Sequence, residues 1–234
     1  MKKSLKEVKA GYPPEKRGSD PLWVKMIVRQ LSFFLAWMAI RLNISAFTVS
    51  IVSLLFPIIA MIFWLNSLPL IAIILLMSWL LLDCVDGNVA RAMGGTMMGA
   101  FVDAASGYAM IGFSFFGLGA YLDIIHPNMF SSGIAGFTLL GATISILNLL
   151  ARLYFQKYLN VLSNSNSAGD AGMGNDKGLL KIIDKNVGVG GFFTPFLLIA
   201  YYVEMLIPVL ILYGIYTLVY FTGVTWKLML RSRK

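Results

Sequence analysis

The sequence predicts an all-α integral membrane protein, with six transmembrane helices preceded by an amphipathic surface helix. Three observations predict it. The 234-residue chain is 58% hydrophobic and only 13% charged, with a mean hydropathy of +0.77, which is more apolar than a soluble core of this size needs. Its apolar runs approach the ~20 residues that cross a bilayer. All 19 Lys and Arg fall on one side once those runs are threaded through a membrane.

Residues 1–20 are polar and basic, broken by Pro13, Pro14 and Gly18, and read as a cytoplasmic leader. The leader is too long and too poor in apolar residues to be a signal peptide. Residues 21–42 carry Trp23, Ile27, Leu31, Phe34 or Leu35, and Met38 at helical spacing, with Lys25, Arg29 and Arg41 between them. Only 11 residues separate Arg29 from Arg41, too few to span, so this stretch reads as a helix lying on the membrane surface.

Residues 43–230 hold the six spans, and 231–234 form a basic cytoplasmic tail. Span one, about Ile44 to Leu65, opens on a cap at Asn43–Ser45 and contains Pro57. Asn66–Pro69 is an outside turn. Span two runs to Arg91, a Gly94-Gly95 loop turns the chain back, and span three covers about Met98 to Leu122. The second outside turn, Asp123 to Asn128, contains the lone histidine, His126, which reads as a turn residue rather than a ligand. Span four is about Ser131 to Tyr154. The polar stretch Gln156 to Gly191 follows, with Lys177, Lys181 and Lys185 at helical spacing in a short basic surface helix. Span five, about Phe192 to Glu204, and span six, about Ile207 to Trp226, flank a turn near Glu204 to Pro208.

This threading leaves the outside turns without Lys or Arg and places both termini in the cytoplasm. It also accounts for the net charge of +8 without nucleic acid, for which no binding motif is present. The single cysteine, Cys84, excludes an intramolecular disulfide and reads as a small buried apolar residue.

The chemistry concentrates between Asp83 and Gly107. A charged side chain inside a membrane segment costs roughly 2.5–3.5 kcal/mol or more, so such residues are kept where they act. Asp83, Asp86, Gly87 and Ala90 fall on one helix face, and Gly99, Asp103 and Gly107 on another. Clustered carboxylates without His or Cys suit hard divalent cations. Ion pairing with Arg91, helix capping and close glycine packing form the structural alternative.

Written out, the stretch is D-x2-D-G-x2-A-R-x7-G-x3-D-x3-G. It resembles the signature of the CDP-alcohol phosphotransferases, D-x2-D-G-x2-A-R followed by G-x3-D-x3-D, at seven of eight fixed positions. The resemblance implies transfer of a substituted phosphate from a CDP-alcohol to a lipid or phosphorylated acceptor, with release of CMP. It implies Mg2+ or Mn2+ on Asp83, Asp86 and Asp103, a CDP pocket at Gly87, Ala90 and Gly99, and catalytic roles for Asp103, Asp86 and Arg91. It also implies a homodimer with its active site on the cytoplasmic side of the membrane.

Gly107 departs from the pattern, because the family's last aspartate ligates metal and serves as base, and glycine can do neither. Either another group takes the proton, or the acceptor arrives ionised. Tyr108 lies about 100° away on the helix and is not promoted to that role. A catalytically silent CDP-alcohol-binding relative and a cation transporter or channel are the alternative readings.

Overall fold

The structure, a computed structural model, describes residues 3–14, 20–129, 135–164 and 188–232. Among them every regular element is helical: α1 (Leu5–Ala10), α2 (Arg29–Arg41), α3 (Ala46–Leu65), α4 (Pro69–Met93), α5 (Met97–Ile125), α6 (Gly136–Asn164), α7 (Phe193–Tyr202) and α8 (Leu206–Ser232). A π turn, Val24–Val28, leads directly into α2.

Local chemistry sets the boundaries. Ser45 caps α3 by accepting the Thr48 N–H at 3.1 Å. The chain turns at Ser67, whose φ is +56°, and re-enters helix at Pro69, whose missing N–H costs nothing in the first turn. Gly94, at φ +95°, ends α4 in a conformation that favours glycine, and Thr96 caps α5 through the Gly99 N–H at 3.0 Å. The α6 entry is held from α5: the Asp123 carboxylate accepts the N–H groups of Phe137 and Thr138 and the Thr138 hydroxyl.

Five helices, α3 to α6 and α8, are long and apolar enough to cross a membrane. Six were expected. The stretch assigned to span five is the ten-residue helix α7, about 15 Å long and too short to cross alone. Span four extends further than its composition suggested, because α6 continues through Gln156 and Lys157 to Asn164. The expected basic helix at Lys177–Lys185 lies outside the described residues.

Helix α3 packs broadly on both α4 and α5, whereas α4 and α5 meet each other over little of their length. Helices α5 and α6 interlock through small residues. A Cβ at Gly119 would strike the Phe137 carbonyl, and one at Gly141 the Phe115 carbonyl, so only glycine permits this approach. The main core gathers Trp64, Leu76, Met110, Phe115, Leu118 and Phe193.

A second core joins the polar leader to the bundle. Val8 and Tyr12 are buried with Phe33, Ala36 and Ile40 of α2, Val49 of α3, and Val85 and Val89 of α4. Helix α1 exists because Ser4 and Glu7 form a reciprocal capping box, with bonds of 2.6 and 3.3 Å. Along the opposite side of the π turn and α2, Leu22, Met26, Ile27, Leu31, Phe34 and Met38 are exposed, whereas Trp23 of the expected stripe packs half-buried against the main core.

Candidate active site

Two helices carry the acidic residues. Asp83 and Asp86 stand one turn apart on α4, and Asp103 lies in the second turn of α5, about 9 Å from that helix's start. The carboxyls of Asp83 and Asp103 lie within hydrogen-bonding reach of each other, and Asp86 is close enough to interact electrostatically with both. Asp86 is buried, Asp83 half-buried and Asp103 exposed, so the group opens outward along α5.

Helix α3 holds the group from behind. The Ser50 hydroxyl donates to Asp86 Oδ2 at 2.7 Å. One turn on, Ser53 donates to the Ser50 carbonyl at 2.8 Å and lies 2.9 Å from Ser106 of α5, whose oxygen accepts the Trp79 indole N–H at 2.6 Å. All four of these side chains are buried, so the network locks three helices in one register. Ser50 and Ser53, polar residues at i and i+3 in an apolar span, are the signal from which this support was legible.

Arg91 does not form a salt bridge with the aspartates. Its guanidinium donates to Asn88 Oδ1 at 2.7 Å and lies 5.2 Å from the centre of the Tyr12 ring. It also folds over Gly87, where a Cβ would stand 3.3 Å from both terminal nitrogens. The space at Gly87 is therefore taken up by Arg91. Ala90 is half-buried on α4, while Gly99 is buried in the first turn of α5, 3.2 Å from Thr96 Oγ1 by the same Cβ measure. Gly107 differs from both, since a Cβ there would meet nothing within 4 Å.

Arg91 is part of a wider circuit. Asn88 Nδ2 donates to Ser32 Oγ at 3.0 Å, and Ser32 donates to the Arg29 carbonyl. Arg29 grips Asp20 with two bonds, at 2.8 and 3.0 Å, and lies 4.5 Å from the centre of the same Tyr12 ring. The Tyr12 hydroxyl closes the circuit on Asp20 Oδ2 at 2.8 Å. Burial, and then the hydrogen bond to Asp20, push the Tyr12 hydroxyl up from 10.0 to about 12. Burial opposes the charge on Arg29, but the bond to Asp20 and its neighbours outweigh it and leave its pKa raised. Tyr12, Asp20 and Arg29 carry no motif, so their place beside Arg91 is not legible in the sequence.

The model of the CDP-alcohol phosphatidyltransferase family matches residues 42–226. The chain belongs to that family. CDP-alcohol phosphatidyltransferases move a phosphoalcohol from a CDP-alcohol to an alcohol acceptor at a membrane, and the family is generally divalent-metal dependent. Among curated proteins and among solved structures, no match was found.

Among the described residues no three His, Cys, Asp or Glu side chains converge tightly enough to enclose one ion. The donor chemistry nevertheless suits one. Asp83, Asp86 and Asp103 supply hard oxygen donors within electrostatic reach of one another, and Asp83 and Asp86 have no Lys or Arg in salt-bridge contact among the described residues.

Proposed function

We propose that this CDP-alcohol phosphatidyltransferase is an active membrane enzyme whose acceptor reacts as an already ionised oxygen. The close approach of Asp83, Asp86 and Asp103 carries the transferase reading. The open, side-chain-free position at Gly107 supports the acceptor assignment.

In this mechanism Asp83, Asp86 and Asp103 would hold Mg2+ or Mn2+, which would supply charge neutralisation to the donor pyrophosphate. Arg91, presented by Asn88 and Tyr12, meets a donor phosphate as a charged hydrogen-bond donor. Ala90 and Gly99, both small, border the cytidine in this reading, while Gly87 lets Arg91 lie against its own helix. The acceptor oxygen attacks the phosphorus bearing the alcohol. A new P–O bond forms, the bond to CMP breaks, and CMP leaves with that electron pair. An ionised acceptor has no proton to surrender, so the reaction proceeds without the family's last aspartate.

The site faces the cytoplasm in this reading, which the placement of Lys and Arg supports. Water-soluble nucleotide and lipid-borne partner then meet at one surface, and a homodimer in the bilayer is the working unit. The product is a phospholipid or a lipid-linked glycan precursor.

The test is CMP release by the purified protein with Mg2+ or Mn2+, across CDP-alcohol donors and acceptors that are neutral alcohols or carry ionised oxygens. Release with ionised acceptors is expected, falling at least about 100-fold in Asp83→Asn or Asp103→Asn. Metal-dependent binding of CDP-alcohols with no CMP release from any pair would instead establish the silent relative that the missing aspartate at Gly107 also allows.

A further inference from the structure

The residues ahead of the family-matched stretch build a cavity, floored in part by Phe33, that shares Tyr12 with Arg91 of the motif. It measures about 270 Å³ and is lined by Lys9, Tyr12, Asp20, Lys25, Arg29 and Gln30. That volume falls just below the ~300–1,000 Å³ of whole small-molecule sites, which suits one charged group of a larger ligand.

Its charge is unbalanced. Among the described residues three cations face one carboxylate, and that carboxylate is engaged at both oxygens: Oδ1 accepts from Arg29, and Oδ2 from Arg29 and Tyr12. Lys9 and Lys25 have no acidic partner among the described residues. Arg29 is locked in place by Asp20, which leaves part of its planar fork to meet a second anion. The π turn Val24–Val28 widens the helix just before Arg29, a bulge of the kind that recurs at functional sites.

The cavity also adjoins the motif. Its Tyr12 wall contacts both Arg29 and Arg91, with the two guanidinium carbons 4.5 and 5.2 Å from the ring centre. The exposed apolar stripe of Leu22, Met26, Ile27 and Leu31 runs along the same helical segment, and on a bilayer it would set the cavity at headgroup level.

We propose that this cavity is an anion subsite that binds a phosphate group beside the transfer site, through Lys9, Lys25, Arg29 and Gln30. The proposal rests on the transferase reading above and names a feature of its partner: a phosphate carried either by a soluble acceptor or by an anionic lipid headgroup.

The experiment uses the full chain in phosphatidylcholine nanodiscs. One arm titrates glycerol 3-phosphate and reads binding by thermal shift. The other replaces about a fifth of the lipid with phosphatidylglycerol. The Lys9→Gln/Lys25→Gln double variant is compared with wild type and with Lys157→Gln, a surface lysine away from the cavity. Saturable ester binding that weakens at least about tenfold in the double variant, but not in Lys157→Gln, assigns the subsite to a soluble phosphate. Stabilisation by phosphatidylglycerol alone, lost in the double variant, assigns it to a lipid headgroup. Equal behaviour of wild type and double variant in both arms overturns the proposal.

Metal-dependent CDP-alcohol binding on the same samples serves as the folding control and separates the two readings. If the double variant keeps CDP binding and phosphate binding alike, only the subsite fails. If phosphate binding follows the lysines while wild type releases no CMP, only the transferase reading fails.

Discussion

Gly107 and Tyr12 are the residues at which this chain departs from a plain statement of its motif. Gly107 faces open space, so Gly107→Asp meets no steric obstacle. The variant is expected to gain CMP release with neutral alcohol acceptors by about 100-fold, the lower end of what a positioned base contributes. A folded variant with an unchanged acceptor profile would mean that the glycine does not set acceptor choice. Tyr12 makes a prediction in pH. Its hydroxyl titrates near 12 in the folded chain against an ordinary 10.0, so its contribution to stability is complete below pH 10 and is lost as pH rises towards 12. Tyr12→Phe should flatten that fall, read as the difference in melting temperature between the two proteins across this window. Tyr12→Leu, which also removes the ring that both guanidinium groups contact, should raise the KM for the CDP-alcohol in addition.

At the scale of elements, the bundle depends on a few contacts where one helix disciplines another. Asp123 holds the first turn of α6, and Asp123→Ala frees two backbone N–H groups and a hydroxyl. A loss of about 1–3 kcal/mol is expected, measurable by equilibrium unfolding in detergent. Gly141→Ala drives a Cβ into the Phe115 backbone, which cannot rotate away, and should cost about 1–3 kcal/mol by the same measurement. The helix ends were legible in the sequence, because caps and turn residues such as Ser45, Pro69 and Gly94 act locally. The short α7 was not legible: its apolar composition resembles that of a span, while its length is set by the turns at Gly188–Phe192 and at Glu204, whose φ is +55°.

For the whole molecule, sidedness is the property that decides how substrates reach the site. Positive-inside threading places Asn128 outside and Lys157 inside. The native Cys84 is buried and can be replaced. In that background Asn128→Cys should react with a membrane-impermeant thiol reagent from the outer face of intact cells, and Lys157→Cys only after permeabilisation. The opposite pattern would invert the topology and place the aspartates on the far side. The leader reads as a solvated tail when taken alone, yet it supplies Val8 and Tyr12 to a core shared with α2, α3 and α4. Its role emerges only when residues 80 positions apart in the chain are brought together.

The sequence by itself determined the helical membrane class, the positions of most spans and the eight-position motif from Asp83 to Gly107, because helical periodicity and the cost of buried charge are written in local order. Only the tertiary structure decided how those residues are held: Ser50 on Asp86, Asn88 and Tyr12 on Arg91, and open space at Gly107. The reason is physical. A helix face can be read from spacing, but whether a neighbouring helix, a leader or nothing at all lies opposite depends on packing between distant segments, and local sequence carries no record of it.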